Sequence, residues 1–157
     1  MRVVILFGTE SGTAEFVAND LLDAIAGFDD TIEADVVDMT DQPVDDIDVA
    51  ALHLVVCSTY GDGELPASAR PFHAGLEREC PNLTGLRYAM FGMGDSSYVD
   101  TYSHGSEIID ATLTGLGATR VGEYGRHDAS GRDAASDVAL TWLEGLRATV
   151  LLTASER

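Results

Sequence analysis

Three short apolar runs, RVVILF (residues 2–7), ALHLVVCS (51–58) and LRYAMFG (86–92), each break off into a loop of glycine, serine and threonine, and a stretch of helical period follows each loop. Strands that are apolar on nearly every residue are buried on both faces, the condition of a parallel sheet covered by its own crossover helices. The order strand, loop, helix repeats along the chain, so the predicted class is α/β: a three-layer, doubly wound parallel sheet of five strands.

The first helix is expected over about residues 12–28, with Phe16, Val17, Leu21, Leu22 and Ile25 as its apolar stripe and Glu15, Asn19, Asp20 and Asp23 opposite. The segment 31–39 alternates only partly and carries charge, which suits an edge strand. A polar connection over 40–50 leads into the strand at 51–58. Further helices are expected at 67–79, 106–116 and 131–150, with a fifth strand at 118–125. No repeat or linker interrupts the pattern, so residues 1–150 are expected to form one domain, with 151–157 as a tail.

Strand order 2-1-3-4-5 would put the topological switch point between strands one and three, where ligands bind beyond the carboxyl ends of the strands. The loops after strands one, three and four should then be neighbours. They are GTESGTA (8–14), STYGDGELP (58–66) and GMGDSSYVDTY (92–102).

Composition narrows the chemistry. No apolar run approaches the roughly 20 residues that span a bilayer, and the first run ends at Gly8, short of a signal peptide, so a cytoplasmic, monomeric protein is expected. The two cysteines, Cys57 and Cys80, make no disulfide or metal framework, and the four histidines are scattered. Twenty-seven acidic residues against nine arginines and no lysine give a net charge of −18. That field repels nucleic acid and anionic membranes and favours basic partners. It also matches an adaptation to a cytoplasm of molar salt, where self-repulsion is screened within a few ångströms, so a halophilic source is expected.

The first loop opens a helix, so backbone N–H groups and the positive end of the helix dipole are available to an anion. Thr9, Ser11 and Thr13 add hydroxyls, and Gly12 permits close approach. A phosphate could be held there by neutral donors in a chain with no cation to spare, provided Glu10 points away. A start rich in Thr and Ser is equally the composition of an ordinary helix cap. Tyr60 and Tyr98 lie in the second and third loops, where an aromatic ring has a purpose if it covers something flat.

These three loops resemble the FMN-binding loops of flavodoxins, in particular the FMN domains of the sulfite reductase flavoprotein and microsomal cytochrome reductases and small MioC-like proteins. The resemblance spans nearly the whole chain. It implies that Thr9, Glu10, Ser11, Gly12, Thr13 and Ala14 wrap the FMN phosphate. Ser58, Thr59, Tyr60, Gly61, Asp62 and Gly63 would cover one flavin face, and Gly92, Met93, Gly94, Asp95 and Tyr98 the other, with Tyr60 and Tyr98 stacking. Tyr102 and Ser103 match the family's next aromatic position if one residue is inserted; without the insertion that position falls on Thr101. Asp128 stands where relatives often carry an acid beside the ring, and His104 faces solvent near the mouth.

The implied function is a one-electron carrier between a separate reductase and a separate acceptor protein. Asp62, Glu64 and Asp95 would oppose negative charge on the reduced ring and lower its potential, and the Gly61–Asp62 peptide could turn its carbonyl toward the flavin. Whether the chain is also an enzyme stays open; an FMN-dependent NAD(P)H:quinone-type reductase is the alternative, and a flavin-free interaction module a third. A phospho-accepting receiver domain would need a carboxylate at the end of strand three, where this chain has VVCST.

Overall fold

A computed structural model describes residues 1–61, 63–94 and 103–148. Its elements run β1 (Arg2–Gly8), α1 (Thr13–Ala26), β2 (Glu33–Asp38), β3 (Leu52–Cys57), α2 (Arg70–Glu79), β4 (Arg87–Gly94), α3 (His104–Gly115), β5 (Thr119–Arg120), β6 (Gly125–Asp128) and α4 (Ala135–Leu146). All strand pairs are parallel, and the sheet order is β2-β1-β3-β4-β5, with β6 also pairing to β4. The charged segment is the edge strand, and the three apolar runs are the interior ones.

Because side chains alternate along a strand, each interior strand feeds two cores. Val3, Ile5 and Phe7 of β1, with Leu54 and Val56 of β3, pack against Val17, Leu21 and Ile25 of α1 and Trp142 and Leu143 of α4. Leu6, Val55 and Cys57 take the other face, under Phe72 and Leu76 of α2 and Ile109 and Leu113 of α3. Register brings Gly8 level with Cys57, and Cys57 level with Gly92, so β1 and β3 end together and β4 runs on two residues to Gly94.

Phe16 lies off the expected stripe and is 74% exposed. At 100° per residue, Ala14, Val17, Ala18, Leu21 and Ile25 form the inward face, and Phe16 is turned aside from it. The expected fifth strand is two pieces. Thr119–Arg120 pairs with the start of β4 and Gly125–Asp128 with its end, while 121–124 leave the ladder. Side chains divert this stretch: Trp142 Nε1 donates to the carbonyl of Glu123 at 2.9 Å, and the Tyr124 hydroxyl meets Ser106 of α3. Gly125 brings the backbone back, since a Cβ there would lie 2.6 Å from both the Phe91 and Trp142 rings. The last helix begins at Ala135, later than expected.

Candidate functional site

The loop after β1 is shaped by close approach. A Cβ on Gly8 would lie 2.8 Å from Met39 Sδ and 2.9 Å from Ala69 Cβ, so only glycine lets β1 end beneath the start of α2. Thr9 is then pinned from both sides: its N–H donates to Ser68 Oγ at 2.7 Å, and its carbonyl accepts from the Ser68 N–H at 3.1 Å. Thr9 Oγ1 accepts from the Gly12 N–H at 2.8 Å, curling the loop. Gly12 precedes α1 with φ 99°, and no side chain caps the helix. The Thr- and Ser-rich start is therefore not an ordinary cap. The first-turn N–H groups, which a helix cannot satisfy internally, are left beside the cavity bordered by Thr9, Glu10, Ser11 and Thr13.

The loop after β3 is joined to the first one, because Ser58 donates its N–H to the Gly8 carbonyl at 3.0 Å. It closes as a tight hairpin in which Tyr60 and Glu64 exchange two backbone hydrogen bonds of 2.8 Å, with Gly61 and Gly63 at φ 55° and 99°. The hairpin presents Tyr60, 46% exposed, to the cavity alongside Ser58, Thr59 and Gly61. Arg70, the first residue of α2, places its guanidinium 5.6 Å from the centre of the Tyr60 ring. Its Nη2 lies 3.6 Å from Glu10 Oε1, and its Nε donates to the Leu65 carbonyl at 3.1 Å. An arginine thus stands beside Glu10, the charged residue of the first loop.

At the end of β4, Met93 and Gly94 reach the cavity, while Gly92 is buried. A Cβ on Gly92 would fall 2.2 Å from Ser106 Oγ and 2.3 Å from Ser103 Oγ, so this glycine makes room for two buried serines. The Gly94 carbonyl accepts from the Ala129 N–H at 2.8 Å, and the register sets Met93 against His127. His127 and Ala129 therefore face the cavity, and Asp128, between them on the strand, does not line it. Its Oδ1 accepts from the N–H and hydroxyl of Ser130, at 2.9 and 2.7 Å. His127 Nε2 donates to the Asp133 carbonyl at 2.8 Å, which leaves Nδ1 as the ring's other polar atom.

The cavity has a volume of about 420 Å³, within the range of pockets for small molecules and cofactors. It gathers Thr9, Glu10, Ser11, Thr13, Ser58, Thr59, Tyr60, Gly61, Met93 and Gly94 from three loops separated by dozens of residues. Gly12, Ala14, Gly63, Gly92 and Ser103 shape or support those loops without lining it. Asp62, Asp95, Tyr98 and Tyr102 lie outside the described residues. His104 is exposed at the start of α3. His127 and Ala129 were not singled out from the sequence, where they lie beyond the expected fifth strand; the pairing of β6 with β4 brings them to the cavity. An uncapped helix start, a loop bearing hydroxyls and an aromatic ring on one cavity suit a phosphorylated planar ligand such as FMN. Among the described residues there is no cluster that could hold a metal and no helix long and apolar enough to cross a membrane.

Comparison with known proteins agrees. A family model described as Flavodoxin matches residues 5–142. The chain is 36% identical over 139 residues to the mitochondrial NADP(+) pyruvate dehydrogenase of Euglena gracilis, covering 84% of this chain but only 7% of that protein. It is 29% identical over 143 residues to protein MioC of Escherichia coli, covering 90% of this chain and 92% of MioC. Among solved structures, a cysteine-to-serine mutant of flavodoxin from Pseudomonas aeruginosa superposes with a TM-score of 0.79 at 36% identity, covering 94% of this chain and 97% of the other. A flavodoxin of Streptococcus pneumoniae gives 0.77 at 27% identity, covering 96% and 100%. The chain belongs to the flavodoxin family, whose cofactor is FMN.

Proposed function

We propose that this protein is a one-electron carrier, taking electrons from a separate reductase and passing them to a separate acceptor protein, both basic at their docking faces, in the cytoplasm and as a monomer. The observation that carries the reading is the convergence of an uncapped helix start and the Tyr60 ring on a single cavity. In this reading the loop over residues 9–14 holds the phosphate through backbone N–H groups and the hydroxyls of Ser11 and Thr13. Tyr60 covers one ring face, and the hairpin that Tyr60 closes with Glu64 keeps its ring in place. Met93 and Gly94 form the floor at the end of β4, and His127 and Ala129 border the same space. The bound flavin supplies the redox chemistry, and the chain sets its potential through stacking, hydrogen bonding and charge.

In this reading the electrons come from a separate reductase, so NAD(P)H oxidation by the protein alone should be slow. The test is a reductive titration of the purified protein in high salt, followed by absorption and electron paramagnetic resonance. A yellow protein that shows an unpaired-electron signal at half-reduction supports the carrier. Reduction in a single two-electron step, or rapid oxidation of NADPH without a partner, overturns it.

A further inference from the structure

Glu10 is the only charged residue between the end of β1 and the start of α1, and it borders the cavity. An ionised carboxylate in that position repels a phosphate dianion across a few ångströms of partly screened space. The structure answers with Arg70. Its guanidinium reaches Glu10 at 3.6 Å while Nε is anchored on the Leu65 carbonyl and the same guanidinium lies 5.6 Å from the centre of the Tyr60 ring. Arg70 owes this position to the packing of Ala69 under Gly8, which brings the first turn of α2 against the loop after β1. A planar guanidinium, fixed at Nε and free to point Nη2 at an acid, is better suited to this than the mobile ammonium of a lysine.

We infer that Arg70 is a positioning residue that neutralises Glu10 at the edge of the cavity, so that the loop over residues 9–14 meets the phosphate without a net negative charge. The inference rests on the FMN reading of the site and deepens it. Arg70 then selects for the phosphorylated flavin: its loss should penalise FMN and spare riboflavin, which carries the same ring and no phosphate. The ion pair is half exposed, with side-chain exposures of 51% and 32%, so the effect belongs to the modest class of surface pairs and should shrink as salt rises.

The experiment compares the full-length wild type, Arg70→Met, Glu10→Gln and the double variant, each measured for FMN and riboflavin dissociation constants by flavin fluorescence at low and at molar salt. For Arg70→Met the expected result is an FMN affinity about fivefold weaker at low salt, a smaller loss at molar salt, and nearly unchanged riboflavin affinity. Glu10→Gln should bind FMN at least as tightly as wild type, and the double variant should recover most of the loss. Equal weakening of both flavins would mean that Arg70 acts only by packing on Tyr60, and would overturn the inference, as would an unchanged FMN affinity in Arg70→Met. Should Arg70→Met fail to fold, weaker FMN binding by Glu10→Gln would overturn it, and tighter or equal binding would support it. A wild type that binds neither flavin removes the FMN reading itself, and this inference with it.

Discussion

Thr59 Oγ1 accepts a hydrogen bond from the backbone N–H of Gly105 at 2.9 Å, tying the loop after β3 to the first turn of α3. The approach is too close for any side chain at residue 105, since a Cβ would lie 2.5 Å from the Ser58 carbonyl oxygen and 3.0 Å from Thr59 Cα. Both obstacles are backbone, so they cannot swing aside. Gly105→Ala should cost about 1–3 kcal/mol of stability by overpacking and should weaken flavin binding by displacing residues 58–60. Gly115, at the far end of the same helix, has open space around its Cβ position. Gly115→Ala should be neutral or stabilising by up to about 1 kcal/mol. Urea unfolding of the two variants checks the contrast.

Tyr60 should act through its ring rather than its hydroxyl. Tyr60→Ala is expected to weaken FMN binding by about tenfold, as loss of an aromatic contact worth roughly 1 kcal/mol together with its buried area, and Tyr60→Phe by much less. Riboflavin should lose as much as FMN in Tyr60→Ala, which separates stacking from the charge effect assigned to Arg70.

The two cysteines should differ sharply in reactivity. Cys57 is buried in β3, and burial pushes its thiol pKa up to about 12, whereas Cys80 is exposed at the end of α2. A thiol reagent at pH 8 should modify one cysteine quickly in the native protein and the second only after denaturant is added. Two rapidly reacting thiols would show that β3 is not buried.

His53 makes stability fall on mild acidification. It is buried in β3, where its Nδ1 donates to the Ala51 carbonyl at 3.1 Å. Burial is the largest influence on it and lowers its pKa below the ordinary value of 6.5, outweighing the opposing pull of that carbonyl and of Asp48. The unfolded chain therefore binds the proton more readily than the folded one. Stability is full above about pH 6.5 and declines as the pH drops below that value toward the lowered folded pKa. A His53→Leu variant should lose less melting temperature between pH 7 and pH 5.5 than the wild type does.

Salt should stabilise the whole molecule. With a net charge of −18, self-repulsion reaches roughly 30 Å at 0.01 M ionic strength and about 3 Å at 1 M. The melting temperature should rise with KCl up to molar concentrations. A melting temperature that is flat or falling over that range would count against the halophilic origin of the acidity.

Much of the fold was legible because apolar runs and helical stripes are local properties. Strands buried on both faces announce themselves in six or seven residues, and the glycine- and hydroxyl-rich loops mark where those strands end. What escaped the sequence depended on a single residue of phase. Phe16 fits an apolar stripe on paper, yet one helical step of 100° turns it to solvent. In the same way Asp128 attracts notice as an acid after the last strand, while pairing with β4 turns its neighbours His127 and Ala129 to the cavity. The break between β5 and β6 was hidden because it comes from Trp142 and Ser106 catching the chain at Glu123 and Tyr124, contacts made by distant helices.

The sequence by itself determined the α/β class, the edge position of β2, and three loops whose glycines and hydroxyls suit a phosphate and a ring, because composition and periodicity act over a few residues. Only the tertiary structure decided that Arg70 stands against Glu10, sixty residues earlier in the chain, and that Gly105 presses on Thr59. Those meetings follow from strand register and from glycines small enough to let backbones touch, and both are properties of pairs of segments that neither segment carries alone.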